Sequence, residues 1–372
     1  MKKLLPEVCT IQYGFPFDSA KFSDSNGMPL IRIRDVVRGY SETYTTEEYK
    51  SEYIVHENDL LIGMDGEFNI AKWGKIPALL NQRVCRLAPK DSIDKDYLFY
   101  FMPIALKRIE EKTPFVTVKH LSAKELNKIE IPVLSLEKQR KIAETLSKVD
   151  ELIAFREQQL AKLDELVKAR FVEMFGDPSN NPMGWKKQNF EDIALLITDG
   201  EHMTPQRTNK GIYLLSARNI LNHTIQLDDV DYIDEEEYGR IARRIVPQQG
   251  DVLVSCSGSI GRCCVVPSEL KFQMVRSVAL IRFNNTINPI FAEWLIATDE
   301  LQKQIYTSAT QSSQANLFQG KIRKLCGYVP PLSLQNQFSA FVERVDQQKQ
   351  TVQQSLEKLE LMKKALMQEY FG

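Results

Sequence analysis

The chain has 372 residues, of which 43% are hydrophobic and 26% are charged, an ordinary composition for a globular protein. This length predicts two domains, because a single hydrophobic core rarely grows beyond about 250–300 residues. The net charge of −1 excludes a strongly basic protein. Any affinity for nucleic acid must therefore come from local basic patches or from partner subunits.

The six cysteines contain no CxxC pair, which argues against a zinc ribbon. The sequence has no apolar run near ~18 residues, so we expect no transmembrane helix and no membrane partner. Because the first residues do not form a signal-peptide pattern, we expect reduced thiols and a cytoplasmic location.

Residues 1–135, the first lobe, are rich in short β-branched or alternating runs that are typical of strands. The strands predicted there are Pro29–Arg34, Asp59–Ile62 and Gln82–Leu87. One amphipathic helix is expected near residues 96–111.

Residues 136–176 predict one long helix, with apolar residues at alternating steps of four and three, the spacing of a coiled-coil seam. Two arginines interrupt the stripe, and the turn-rich residues 176–185 end the helix. The seam positions are Ile142, Leu146, Val149, Ile153, Leu160, Leu163 and Val167.

Residues 177–332, the second lobe, have the same strand-rich character. The strands predicted there are Ile212–Ser216, Asp251–Val254 and Val278–Phe283, and a helix is expected near residues 289–305. Asn288-Pro289 reads as the entry to that helix, with proline at an early position.

Residues 333–372 predict a second long helix with the same kind of stripe. A helix of that length, about 55 Å, cannot bury an apolar stripe alone, so we expect it to pack antiparallel against the first helix. Its seam positions are Phe338, Val342, Val345, Val352, Leu356, Leu359 and Leu366.

The two halves of the chain repeat each other. Residues 121–176 align with residues 317–372 without a gap, and this unit is too long for a solenoid repeat. Weaker matches join residues 27–36 to 211–220 and residues 59–66 to 251–258. The scaffold therefore looks duplicated while the loop chemistry differs, as expected if each copy binds a different target.

Both lobes contain loops and strands with the residue types that contact phosphates or base edges in nucleic acid. The candidates in the first lobe are Arg32, Arg34, Lys72, Trp73, Arg83, Thr117, Lys119 and His120. The candidates in the second lobe are Arg207, Lys210, Arg218, Ser257, Ser259, Arg262, Arg276, Gln311, Ser313, Gln314 and Asn316. Each is a weak signal alone, because simple hairpin turns and solvated or ion-paired arginines give the same pattern.

The sequence offers no clear place for enzyme chemistry. It lacks the phosphate-binding and dinucleotide-binding glycine patterns, and its four histidines lack metal-binding spacing. The segment Asn288-Pro-Ile-Phe291 departs from the Asn-Pro-Pro-aromatic motif of amino-methyltransferases at its third position. We therefore expect a protein that is not an enzyme and that holds no cofactor and no metal.

The order of these parts resembles the specificity subunit of a type I restriction–modification system. The resemblance spans essentially the whole chain, and the repeated motifs at the helix entries and exits carry it. These motifs are Leu136, Gln139, Ile142 and Ala143 in L-x₂-Q-x₂-I-A, then Met174-Phe-Gly-Asp-Pro178, Gly184-Trp185 and Tyr370-Phe-Gly372.

The resemblance implies an α+β fold with two α/β target-recognition lobes separated by two long antiparallel helices. These helices would form an intramolecular coiled coil with a pseudo-twofold internal repeat. It also implies four segments: recognition lobes at 1–135 and 177–332, and spacer helices at 136–176 and 333–372. The first lobe begins at Met1 without the lead-in helix of some relatives, so the pseudo-symmetry is expected to rest on these two helices.

In that family, each lobe reads one half of a split site in double-stranded DNA, and the helices bind two methyltransferase subunits. Those subunits hold S-adenosylmethionine, and motor-nuclease subunits join them in the restriction complex. Two other interpretations stay open from the residues: a structural adaptor whose coiled coil dimerises between chains and whose lobes bind protein, and a self-contained methyltransferase.

Overall fold

The computed structural model describes residues 1–112, 119–309 and 316–372. It contains two compact units, Met1–Glu157 with Gln354–Gly372, and Gln158–Gln353. Each unit therefore combines one lobe with part of each long helix. The segment boundaries predicted at 135, 176 and 332 follow secondary structure, whereas the compact units divide both helices.

Eleven strands lie in the part of the first unit that the structure describes. They are β1 (Lys2–Leu4), β2 (Cys9–Tyr13), β3 (Phe22–Ser23), β4 (Met28–Pro29), β5 (Tyr44–Thr45), β6 (Ile54–Val55), β7 (Leu60–Gly63), β8 (Ile70–Lys72), β9 (Ala78–Leu79), β10 (Val84–Pro89) and β11 (Glu130–Pro132). The helices are α1 (Leu5–Val8), α2 (Ile33–Arg38), α3 (Lys95–Lys112), α4 (Ala123–Asn127) and the N-terminal part of α5 (Leu136–Phe175). Two short 3-10 turns cover Ser19–Lys21 and Ser51–Tyr53.

The central sheet of this unit has the antiparallel order β2-β10-β7-β8, and β1 pairs separately with β11. Leu60 and Ile62 of β7 are fully buried and belong to one apolar cluster with Tyr97 and Phe101 of α3. Burial of these faces removes apolar surface from water, which is the main force that holds sheet and helix together.

The predicted strand at Pro29–Arg34 is wrong beyond Pro29, because α2 begins at Ile33. The Asp35 carboxylate accepts a hydrogen bond from the backbone N–H of Arg32 at 2.8 Å, and Gly39 ends the helix in the left-handed region at φ 74°. These two caps outweigh the short alternating pattern of the sequence.

The second unit repeats this plan with additional strands. The strands are β12 (Lys187–Asn189), β13 (Ala194–Asp199), β14 (Ile212–Leu215), β15 (Ile220–Leu221), β16 (Thr224–Ile225), β17 (Asp231–Ile233), β18 (Val252–Ser255), β19 (Cys263–Val265), β20 (Phe272–Met274), β21 (Val278–Phe283) and β22 (Cys326–Tyr328). The helices are α6 (Phe190–Ile193), α7 (Glu235–Ala242), α8 (Pro289–Ile296), α9 (Asp299–Ala309), α10 (Gln319–Arg323) and the N-terminal part of α11 (Leu332–Phe371), with a 3-10 turn at Ala217–Asn219.

Its central sheet has the antiparallel order β13-β21-β18-β19, and β12 pairs with β22, so the strand plan of the first unit recurs. A mixed sheet, β17-β14-β20, joins β14 to β20 in parallel. The helix predicted near residues 289–305 is present as two helices, α8 and α9. The Asn288 side-chain oxygen caps α8 by accepting from the N–H groups of Ile290 and Phe291 at 2.9 and 3.3 Å, which confirms the predicted entry.

One turn illustrates how closely the backbones of the two units match. Asn58 and Gly250 both adopt the left-handed region, with φ of 67° and 85°, two residues before the first residues of β7 and β18. The residues that follow them, Asp59 and Asp251, each accept a hydrogen bond from the backbone three residues earlier. Asparagine and glycine enter this region more readily than most residues, so a different residue in each unit closes the same turn.

The segments of α5 and α11 run in opposite directions within the first unit. Lys363 Nζ lies 2.6 Å from Asp150 Oδ1, and Arg156 Nε donates to Ser355 Oγ at 3.2 Å. A later residue of α5 therefore contacts an earlier residue of α11. Arg156 and Lys363 are among the charged residues that interrupt the apolar stripes of α5 and α11.

The second unit has the same antiparallel arrangement. Lys349 Nζ lies 2.5 Å from Asp164 Oδ1, and the rings of Phe171 and Phe338 pack edge to face with centroids 5.4 Å apart. Along both helices, every predicted seam residue is buried or half-buried.

Within the described part of the chain, no helix is both long enough and apolar enough to span a bilayer. All six cysteines are free thiols, and five of them are buried.

Candidate nucleic-acid interface

The first candidate site forms where β7 ends beside the turn that leads into β10. The backbone N–H of Met64 donates to the carbonyl of Arg83 at 2.9 Å, and the N–H of Leu121 donates to the carbonyl of Met64 at 2.7 Å. Three segments that are distant in sequence therefore meet at one end of the sheet.

A cavity of about 460 Å³, the first cavity, opens there. It brings together three of the predicted residues, Arg32, Arg34 and Arg83. Its lining consists of Phe17, Ser19, Phe22, Arg32, Ile33, Arg34, Asp65, Asn81, Gln82 and Arg83. The guanidinium of Arg32 lies over the Phe22 ring, 5.7 Å from its centroid, which holds this charge against one wall.

Asp65, which is not among the residues predicted from the sequence, is the carboxylate that orders this site. His120 Nδ1 lies 2.5 Å from Asp65 Oδ1, and Arg83 Nε lies 3.6 Å from Asp65 Oδ2. The predicted residues Arg83 and His120 thus share one acidic partner. No motif marks Asp65 in the sequence, because the three residues come together only through strand pairing.

The second candidate site has an equivalent backbone frame in the other unit. The N–H of Cys256, after β18, donates to the carbonyl of Ser277 at 2.8 Å, and the N–H of Leu317 donates to the carbonyl of Cys256 at 2.9 Å. A second cavity, also of about 460 Å³, opens there. Its lining consists of Asp199, His202, Cys256, Ser257, Arg276, Ser277, Asn316, Leu317 and Phe318.

Asp199 is the charged centre of the second cavity, and it too was missed from sequence. Its carboxylate accepts from Arg244 at 2.7 Å, lies 3.0 Å from His202 Nε2, and accepts from Gln319 at 2.5 Å. Burial raises the pKa of Asp199, but the hydrogen bonds from His202, Arg244 and Gln319 outweigh burial and lower it overall. Cys256 beside it stays a neutral thiol, since burial raises its pKa to about 12.

The two frames place different side chains at equivalent positions. The first presents an acid, an amide, an arginine and a histidine, whereas the second presents two hydroxyls, an arginine and an amide. In order, Asp65, Gln82, Arg83 and His120 correspond to Ser257, Arg276, Ser277 and Asn316.

The structure places several predicted residues of the first lobe outside the cavity. Trp73 is 2% exposed and its indole N–H donates to the carbonyl of Ile76 at 2.7 Å, so it is a core residue with no free edge for nucleic acid. Lys72 pairs with Asp96 at 2.8 Å.

Lys119 pairs with Glu110 at 3.2 Å, and its carbonyl accepts from the N–H of Gly66. Its backbone therefore supports the loop that carries Asp65. Thr117 lies outside the described residues.

Predicted residues of the second lobe also divide between the cavity and other places. Ser257, Arg276 and Asn316 line the cavity. Arg207 and Arg218 lie elsewhere and both pair with Asp231, at 2.9 and 3.1 Å.

The remaining predicted residues of this lobe do not line the second cavity. Lys210 and Ser259 are exposed, and Arg262 is half-buried. The Ser255 hydroxyl stabilises the loop of Ser259 and Arg262, donating to the carbonyl of Ser259 and accepting from the N–H of Arg262. Gln311, Ser313 and Gln314 lie outside the described residues.

A family model described as the type I restriction modification DNA specificity domain matches residues 1–165 and 182–361. The chain is similar to the EcoBI specificity subunit of a type I restriction enzyme from Escherichia coli. The two are 29% identical over 375 residues, which cover 92% of this chain and 78% of that protein.

Solved structures match the fold along its whole length. The S subunit of a type I restriction–modification system from M. genitalium has a TM-score of 0.63 at 15% identity, covering 100% of this chain and 96% of that one. A chain from a structure concerned with complex assembly and conformational transition of the type I R-M system has a TM-score of 0.58 at 15% identity, covering 100% and 97%.

The predicted mixture of helices and strands is confirmed by these structural matches, which at such identity speak for the fold alone. The family model covers most of the sequence, including both cavities and most of both long helices. The chain therefore belongs to the family of type I restriction–modification DNA specificity domains, and its function is DNA sequence specificity.

Proposed function

We propose that this chain is a non-catalytic subunit that recognises a bipartite, non-palindromic site in double-stranded DNA, with each lobe reading one half. The observation that carries the proposal is the pair of cavities in equivalent backbone frames with different linings. The frame fixes where side chains can reach, and the side chains decide which base edges they fit. Two frames with unlike linings therefore favour two unlike half-sites.

The proposal gives α5 and α11 the role of a spacer. Their segments pair antiparallel in each unit through apolar contacts and the Asp150–Lys363 and Asp164–Lys349 ion pairs. A stiff intramolecular coiled coil of this kind would fix the separation of the half-sites. Recognition in successive major grooves calls for half-sites about 34–36 Å apart.

The proposal also requires partner subunits. Phosphate neutralisation supplies much of the affinity of a protein for DNA, and this chain has a net charge of −1. Two methyltransferase subunits, which hold S-adenosylmethionine, would add basic surface and carry out the modification. Motor-nuclease subunits would join them in a restriction complex, while this chain itself holds no cofactor.

A lobe exchange tests the proposal. Residues 190–316, from the start of α6 to the residue before Leu317, are replaced by the equivalent lobe of another family member. The chimera is then expressed with the methyltransferase subunits. Sequencing of methylated adenines in the modified DNA should show a change in one half of the site, with the other half and the spacer kept.

The wild-type chain expressed with the same partners is the control. A chimera that changes both halves of the site would contradict the modular proposal, as would a wild-type complex that methylates DNA without sequence preference.

A further inference from the structure

Arg83 has an unusual backbone for a long side chain. The N–H of Val84 donates to the carbonyl of Asn81 at 3.2 Å, which closes a turn with Arg83 as its third residue, and the φ of Arg83 is 73°. Glycine and asparagine normally fill this position when φ is positive. The equivalent residue of the other lobe, Ser277, is not among the described residues with positive φ. The left-handed turn therefore belongs to the lobe that carries an arginine there.

The Asp65 carboxylate restrains the side chain that this turn projects, and His120 in turn holds that carboxylate. The Nε edge of the guanidinium faces Asp65 Oδ2 at 3.6 Å, and Nη1 lies 3.3 Å from His120 Nδ1. The same Nδ1 lies 2.5 Å from Asp65 Oδ1. A ring nitrogen either donates or accepts, so the shorter contact assigns its proton to the bond with Asp65. The terminal nitrogens of Arg83 are then left to donate elsewhere.

These restraints make Arg83 a pre-organised fork on the wall of an open cavity. Its side chain is 53% exposed, and it lies beside Gln82 in the cavity lining. A planar fork with two free donors matches the O6 and N7 acceptors of guanine in the major groove. A guanidinium can also bind a phosphate, but the adjacent Asp65 carboxylate offsets the positive charge that attracts a phosphate.

We propose that Arg83 reads one guanine in the half-site of the first lobe, donating from its two terminal nitrogens to O6 and N7. Asp65 and His120 are positioning residues for this contact. The proposal rests on the proposed function, since it names the determinant that the first lobe uses. At the equivalent place the second lobe has Ser277, with its arginine one residue earlier at Arg276, so the two half-sites differ at this base pair.

The test compares Arg83→Lys and Arg83→Gly with wild type, each as the full chain in complex with the methyltransferase subunits. Binding is measured against a set of duplexes in which every base pair of the recognised site is varied in turn. We expect Arg83→Gly to lose discrimination at one G·C pair of one half-site, by roughly 5- to 150-fold, with the other positions unchanged, and Arg83→Lys to lose less because lysine can still donate to guanine. Lysine keeps the positive charge of Arg83 but lacks its planar fork. Glycine suits the left-handed turn. Both variants should fold.

Arg38→Lys is the matched control, because Arg38 is an exposed arginine of the same lobe that pairs with Glu42 outside the cavity. It should leave the discrimination profile unchanged. Uniform weakening of all duplexes by Arg83→Gly, with discrimination retained, would mean a phosphate contact and would overturn the proposal. Unchanged discrimination in Arg83→Gly would overturn it as well. A wild-type complex without any sequence preference would instead contradict the proposed function.

Discussion

The carboxylate of Asp199 is held by hydrogen bonds from several side chains. Its partners come from three places, the nearby His202, the more distant Arg244, and Gln319 on α10. These donors stabilise the charged form and lower the pKa of Asp199 despite the opposing effect of burial. The cavity therefore has an acidic residue that stays ionised at neutral pH.

A lowered pKa links Asp199 to the pH dependence of stability. The folded state favours the carboxylate, so its contribution is present above the unfolded pKa, about 4, and is lost as pH falls through the folded pKa. We expect the stability difference between wild type and Asp199→Asn to shrink as the pH falls from about 5. Denaturant unfolding of both proteins across this range measures it.

The conservative Asp228→Asn change, at an exposed residue of the same lobe, is the control for that experiment. A stability difference for Asp199→Asn that grows as the solution becomes more acidic would show that the ionised group is not the stabilising form.

The side chains that orient the two sites could not be found from sequence. Arginine, serine and asparagine were singled out because their donors fit base edges, and several of them do line the cavities. Asp65 and Asp199 carry no such signal. Asp65 meets His120 through pairing of chain segments 55 residues apart, and Asp199 meets Gln319 across 120 residues. Such contacts depend on tertiary structure, which local pattern does not report.

Long helices were the most predictable elements of the chain. The stripe of apolar residues predicted helices over 136–176 and 333–372, and the structure has them at Leu136–Phe175 and Leu332–Phe371. Because the helical spacing of apolar residues recurs over many turns, it leaves little ambiguity about the secondary structure. Short elements were less predictable: α2 forms where a strand was expected, because two caps act over six residues.

The ion pair between Lys349 and Asp164 tests the helix pairing directly. Lys349 is largely buried and Asp164 is mostly exposed. A double-mutant cycle with Lys349→Met and Asp164→Asn should give a coupling free energy of about 0.5–1 kcal/mol, in the range of partly exposed pairs. Chemical denaturation of the full-length chain and its three variants provides the measurement.

The matched cycle pairs Lys349→Met with Glu165→Gln, since Glu165 is the exposed neighbour of Asp164 on the same helix. Its coupling should be near zero. Equal coupling in both cycles would indicate a general charge effect and would argue against the antiparallel register of this pair.

At the scale of the whole molecule, duplication explains why the two lobes share backbone frames while the side chains that line their cavities differ. The gapless match of residues 121–176 with 317–372 predicts a repeat, and the same four-stranded order occurs in each unit. Backbone hydrogen bonds preserve the frame without regard to side-chain identity. For this reason the sequence predicted two related lobes but not which residues would face each cavity.

The overall charge predicts how the chain binds DNA alone and in a complex. With a net charge of −1, the isolated chain should bind duplex DNA weakly and with a shallow dependence on salt. The complex with methyltransferase subunits should lose affinity much more steeply between about 50 and 200 mM salt, because it neutralises more phosphates. Fluorescence anisotropy with one labelled duplex measures both slopes.

A duplex lacking the recognised site, titrated in parallel, separates general phosphate attraction from specific binding. Equal slopes for the isolated chain and the complex would mean that the partners add no phosphate contacts.

The backbone of Arg83 has a bearing on how this protein can be engineered. Glycine suits its left-handed turn better than arginine does, so selection for heat resistance alone favours glycine there. If Arg83 reads a base, the more stable glycine variant would no longer discriminate at one base pair of the DNA site. Thermostabilisation of this chain should therefore hold residue 83 fixed and seek its gains elsewhere.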